Sequence, residues 1–97
     1  MIKFDWSPVA RQDYWDNIDY LLENWSDKEA SRFIELVDQC LSVISQNPKA
    51  FIKTDYKNVR AGVVTPQISL YYKIVDKNSV ELVRFWNNFQ NPQNINI

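Results

Sequence analysis

The stretch from Arg60 to Trp86 constrains the fold more than any other. Within it, Ile68, Leu70, Tyr72 and Ile74 alternate with Ser69, Tyr71, Lys73 and Val75. A period of two marks a half-buried strand. Apolar runs flank this strand on both sides, Val59 to Val64 before Thr65-Pro66 and Val80 to Trp86 after the turn Asp76-Lys77-Asn78-Ser79. The pattern predicts a three-strand antiparallel meander with one face that must be covered. The only glycine, Gly62, lies in the first of these strands and marks a bulge or a close backbone approach.

The cover comes from earlier in the chain. Ile2-Lys3-Phe4-Asp5-Trp6 alternates and reads as a short first strand. Ser7-Pro8 then opens a helix, with serine as N-cap and proline where a missing N–H costs nothing. Ala10, Tyr14, Ile18, Leu21 and Trp25 form its apolar stripe, and Asp13, Asp16, Asp19 and Glu23 are expected to face water. Ser26 and Glu29 have capping-box spacing, and Trp25 with Ala30 sits where a hydrophobic staple would. A second helix buries Ala30, Phe33, Ile34, Val37, Leu41 and Ile44, with Cys40 beside them as a small core residue. Asn47-Pro48 ends it. Pro48 to Asn58 reads as irregular, pinned by Phe51 and Tyr56. The order is β-α-α-β-β-β: an α+β fold with an N-terminal strand, a helical hairpin and a three-strand antiparallel meander. One domain is expected over 1–91, with 92–97 as a flexible tail.

Ninety-seven residues suffice for one core. One cysteine and no histidine exclude an internal disulfide and make a zinc site implausible, so neither metal nor cofactor is expected. No apolar run is long enough to span a bilayer, and the N-terminus lacks the pattern of a signal peptide. A cytoplasmic protein without membrane contact is expected. The net charge of −1 argues against indiscriminate nucleic-acid binding, but it hides a split. Four bases and nine acids over 1–47 leave −5, whereas seven bases and three acids over 48–97 leave +4. Either the two surfaces merely differ, or the sheet side meets an anionic partner, nucleic acid or acidic peptide. Lys49, Lys53, Lys57 and Arg60 are the densest basic cluster.

The chain resembles the RelE/ParE toxin superfamily of bacterial type II toxin–antitoxin systems, ParE more than RelE. The resemblance is carried by Trp6-Ser7-Pro8 with Ala10, Ile18 and Tyr20-Leu21, Ala30 and Phe33, and Ile44 with Asn47-Pro48. It continues through Phe51, Val59-Arg60, Leu70-Tyr71-Tyr72-Lys73-Ile74 and the closing Phe85-Trp86-Asn87-Asn88-Phe89-Gln90-Asn91-Pro92. It implies a growth-inhibiting toxin, associated with plasmid stabilization and neutralised by a cognate antitoxin, with which it could form a heterotetramer. The RelE branch cuts messenger RNA on the ribosome, and the ParE branch inhibits DNA gyrase.

RNA cleavage through the 2′-hydroxyl needs a base, cations for the phosphorane and an acid for the leaving oxygen. As a ribonuclease, this chain would use Arg60, Tyr71 and Arg84, with Tyr71 exposed and Tyr72 in the core. Yet Ser69 stands where ribonucleases of the family commonly carry arginine. Asn87, Asn88, Phe89 and Gln90 stand where a histidine or arginine would be expected. A sequence pI of about 5.3 also disfavours ribosome binding. These departures favour a non-enzymatic toxin that binds a protein target such as gyrase, with a ribosome-dependent ribonuclease or a non-toxic antitoxin binder as alternatives. Lys57, Arg60, Arg84 and Trp86 are the expected partner contacts. The alternative for Arg60 is a pair with an acid on the helical hairpin, while Trp15 and Trp86 are core edges or exposed aromatics.

Overall fold

The computed structural model describes residues 2–88. Two helices pack on one face of a five-stranded mixed sheet. The elements are β1 (Lys3–Trp6), α1 (Pro8–Asn24), α2 (Asp27–Gln46), β2 (Ile52–Lys53), β3 (Val59–Val63), β4 (Ile68–Asp76) and β5 (Ser79–Asn87). The sheet order is β1-β5-β4-β3-β2. The expected meander is β3-β4-β5, and both its turns fall where the sequence put them.

Two features of the sheet differ from expectation. It has five strands rather than four, because Ile52–Lys53 pairs antiparallel with Arg60–Ala61 inside the stretch read as irregular. Two residues are too few for periodicity to register. The sheet is also mixed, since β1 runs parallel to β5, with Phe4 opposite Val80 and Trp6 opposite Leu82. A parallel neighbour needs a long connection; here the helical hairpin carries the chain from β1 to β2 at the opposite edge, and β3 and β4 lead back to β5.

Ser7 joins two layers. Its hydroxyl accepts from the Ala10 N–H at 2.9 Å as N-cap of α1 and donates to the Val83 carbonyl of β5 at 2.9 Å. α2 starts on Ser26, whose hydroxyl accepts from the Glu29 N–H at 3.3 Å. The staple expected beside that cap does not close. Ala30 is buried, but the Trp25 side chain is 69% exposed. Trp25 lies past the end of α1, where the backbone leaves helical geometry and turns its side chain off the stripe.

The main core lies between the helices and the inner sheet face. Leu70, Tyr72, Val80, Leu82 and Phe85 meet Ala10, Ile18, Ala30, Phe33, Val37, Cys40 and Ile44. Tyr72 is fully buried as expected, and its hydroxyl donates to the Pro48 carbonyl at 2.6 Å. Gly62 marks a close approach: a Cβ there would sit 3.0 Å from the Phe51 ring. The sheet's irregularities lie elsewhere, one of them a register shift between Ile74 and Asp76. β4 and β5 slip register between Tyr71 and Tyr72, so Tyr71 faces Arg84 whereas Tyr72 faces Leu82, and Val83 is the extra residue. Among the described residues, no helix is long and apolar enough to cross a membrane. The tail expected at 92–97 lies outside the described residues.

Candidate functional site

The sheet face turned away from the helices carries a second, smaller cluster. Val59, Tyr71 and Trp86 are buried there, with Tyr56, Ala61 and Val83 packed around them. Tyr71 was expected to be exposed, yet only 9% of it is accessible. Alternation correctly turned it from the main core, but cross-strand neighbours and Tyr56 bury it on the far side. Burial, and secondarily the neighbouring Tyr56, push its phenol above the ordinary tyrosine range. A phenol that resists ionisation is a poor general base.

Trp86 was expected to anchor a partner-binding patch, and it too is buried, at 8% exposure. Its indole Nε1 lies in this cluster without a hydrogen-bond partner. The Arg84 guanidinium stands 5.0 Å from its ring centroid, a cation–π distance. Beside Trp86, the Ser69 hydroxyl donates to the Asn88 side chain at 2.8 Å. Asn88 also donates to the carbonyls of Gln67 and Pro66, fastening the end of β5 to the β3–β4 turn. Ser69 is thus a structural tether.

Arg84 points neither into solvent nor toward β4. Its Nε and Nη2 donate to the two carboxylate oxygens of Asp13 at 3.1 and 3.0 Å, a bidentate pair. Asp13 also accepts from the Phe85 N–H at 3.1 Å. β1 stops pairing at Leu82, so the next inner-edge donor of β5 would lack a partner, and the carboxylate takes its place. These hydrogen bonds, more than charge alone, hold the guanidinium still more firmly protonated. Asp13 was expected to face water. Its off-stripe position turned it toward the uncovered edge of β5, which only the tertiary structure reveals.

Arg60 pairs with no acid on the hairpin. Its Nη1 donates to the carbonyls of Lys49 at 3.2 Å and Phe51 at 2.8 Å, closing the loop that precedes β2. Lys49, Lys53 and Lys57 are exposed along the same edge, next to Asn58, which adopts a left-handed conformation with φ of 63°. The five nominated residues therefore split. Arg84, Tyr71 and Trp86 share the outer face and are largely inaccessible, whereas Lys57 and Arg60 lie at the opposite edge.

Cys40 is buried in the main core, where burial pushes its thiol from 9.0 to about 11. Its reaction with a thiol-specific disulfide reagent is expected to be at least about a hundredfold slower in the native protein than in denaturant. Tyr72, also held above its ordinary range by burial, acts in the same sense. Both groups are easier to ionise in the unfolded chain. The contribution of these two groups to stability is thus expected to be constant below about pH 9 and to fall as pH rises beyond it, a loss that urea melts at alkaline pH would follow.

Sequence reasoning missed an open groove between the hairpin and the β3–β4 turn. It holds about 870 Å³ and is lined by residues including Asp16, Leu21, Phe33, Pro66 and Ile68. At its rim, Tyr20 is 58% exposed, as conspicuous as Trp25.

The fold and the inward-turned site can be set beside known proteins. The model of a family described as the ParE toxin of the type II toxin–antitoxin system parDE matches residues 4–92. The chain belongs to this ParE toxin family. Solved structures of ParE-like toxins share its fold. The chromosomal ParDE system from P. aeruginosa superposes with a TM-score of 0.72 at 14% identity, covering 90% of this chain and 96% of that one. The YoeB/ParE toxin from Agrobacterium tumefaciens gives 0.64 at 14% identity, covering 90% and 99%. A heterotetrameric YoeB–YefM toxin–antitoxin complex from Staphylococcus aureus gives 0.58 at 20% identity, covering 87% and 93%. Among curated proteins, none matches the sequence.

Proposed function

We propose that this ParE-family chain is a toxin that acts by binding a protein target such as DNA gyrase, and that a cognate antitoxin neutralises it. One observation carries the choice of mechanism: the groups that could cleave RNA are turned inward. Arg84 is spent on Asp13 and Trp86, Arg60 on two backbone carbonyls, and Tyr71 is buried with its phenol harder to ionise. A ribonuclease needs these cations free to meet the phosphorane. The antitoxin reading is supported by the family and by the heterotetrameric assembly described for the Staphylococcus aureus toxin.

The test expresses the chain alone, without any antitoxin. Growth arrest is expected, together with inhibition of gyrase supercoiling by the purified protein and no new messenger RNA ends on translating ribosomes. New ends that vanish in Arg60→Ala would overturn the mechanism in favour of ribosome-dependent cleavage. Harmless expression with antitoxin binding retained would identify a non-toxic antitoxin binder instead.

A further inference from the structure

The groove between the helical hairpin and the Val64–Ile68 turn has a chemistry of its own. Its floor is apolar, with Leu21, Phe33 and Ile68, and its rim presents Tyr20 and Trp25. Large exposed aromatics around an apolar floor are the residue types that anchor interfaces. Its charge is one-sided. Asp13, Asp16 and Glu29 line it against a single base, Arg32. Asp13 is already paired with Arg84, whereas no ion pair engages Asp16 or Glu29 among the described residues. The groove's hairpin wall belongs to the half of the chain whose formal charge is −5, and its other wall, Val64 to Ile68 with Asn87, carries no charged residue, so the local field keeps the same sign.

We propose that this groove docks an amphipathic segment of the cognate antitoxin whose bulky apolar anchors are flanked by lysine or arginine. The inference rests on the antitoxin reading above and specifies its contact chemistry. It differs from the alternative in which the basic sheet side meets an anionic partner. An acidic segment would set like charges against Asp16 and Glu29, whereas a basic one gains attraction as its anchors cover Tyr20 and Trp25. A second copy of this chain fits less well. Its basic edge offers Lys49, Lys53 and Lys57 with Ile52 as the adjoining exposed large apolar residue, and such a head-to-tail contact is not self-complementary.

The test titrates the 97-residue chain with a candidate antitoxin, a small protein encoded next to it, using calorimetry at low and high salt. Trp25→Ala is expected to weaken binding about tenfold or more. Asp16→Asn combined with Glu29→Gln should weaken it roughly three- to tenfold at low salt and less at high salt. All three side chains are exposed, so these variants should fold, and a circular-dichroism melt verifies it. Unchanged affinity in both variants, with wild-type binding intact, would overturn the groove assignment and leave the antitoxin reading standing. Weakening by Lys57→Glu alone would move the contact to the basic edge and overturn it as well. Absence of wild-type binding would overturn both readings. Self-association of the chain, abolished by Glu29→Lys, would assign the groove to a second copy instead.

Discussion

Phe85→Ala is expected to lower the unfolding free energy by about 3–5 kcal/mol. Phe85 lies at the junction of sheet and hairpin. Its ring centroid is 5.8 Å from both Trp6 and Tyr14 and 6.4 Å from Phe33, so it touches β1, α1 and α2 from β5. Truncation loses the transfer free energy of the ring and leaves a cavity between elements that are fixed by other contacts. β5 cannot collapse inward, because β4 pairs with it at Phe85, Asp13 accepts from the Phe85 N–H and β1 holds it as far as Leu82. Aromatic pairs of this geometry add roughly 0.5–1.5 kcal/mol beyond burial. Against a typical stability of about 5–15 kcal/mol, this would bring the protein close to unfolding. Urea denaturation followed by far-ultraviolet circular dichroism measures the effect. Val63→Ala, on an exposed side chain of β3, is the control and should stay within about 0.5 kcal/mol. A loss below about 1 kcal/mol for Phe85→Ala would contradict its central place in the core.

Asp13→Ala is expected to cost about 2–4 kcal/mol, for a different reason. It leaves Arg84 without its bidentate partner and the Phe85 N–H without an acceptor. The pair is only partly shielded, with side-chain exposures of 24% for Arg84 and 14% for Asp13, which places the cost below that of a fully buried ion pair. A double-mutant cycle with Arg84→Ala separates the pair from its surroundings. The coupling should be about 1 kcal/mol or more, and it should persist at high salt, because partly buried pairs are weakly screened. The double variant should be less destabilised than the sum of the singles, since removing both partners leaves no stranded charge. Coupling near zero would mean that Asp13 matters only as an acceptor for β5. Arg84→Lys should not rescue the pair, because a single ammonium cannot make the two parallel bonds of the guanidinium.

These two residues show what could be read along the chain. Phe85 belongs to an apolar run that reads as a strand, but strict alternation from Val80 and Leu82 would turn it to the other face; the slip at Val83 returns it to the main core. The role of Asp13 was no more legible. It looked like a solvent-facing acid because its position lies off the apolar stripe of α1, and that placement is correct. What the pattern lacks is where β1 ends relative to β5, and hence that a backbone donor needs an acceptor there. Tyr71 and Trp86 fail in the same way. Alternation turns Tyr71 from the main core, but it does not say that the outer face also closes, because that depends on residues meeting across three strands and on Tyr56 from a distant loop.

Local physics therefore determined the two helices and their caps, the meander and its turns, and the burial of Tyr72 and Cys40. Each follows from neighbours within a few residues of one another. The tertiary structure alone decided the parallel pairing of β1 with β5, the slip at Val83, the capture of Arg84 by Asp13 and the open acidic groove beside Trp25. Each of these joins groups far apart in the chain, and their meeting depends on how the hairpin crosses the sheet. Periodicity and spacing carry no record of that crossing.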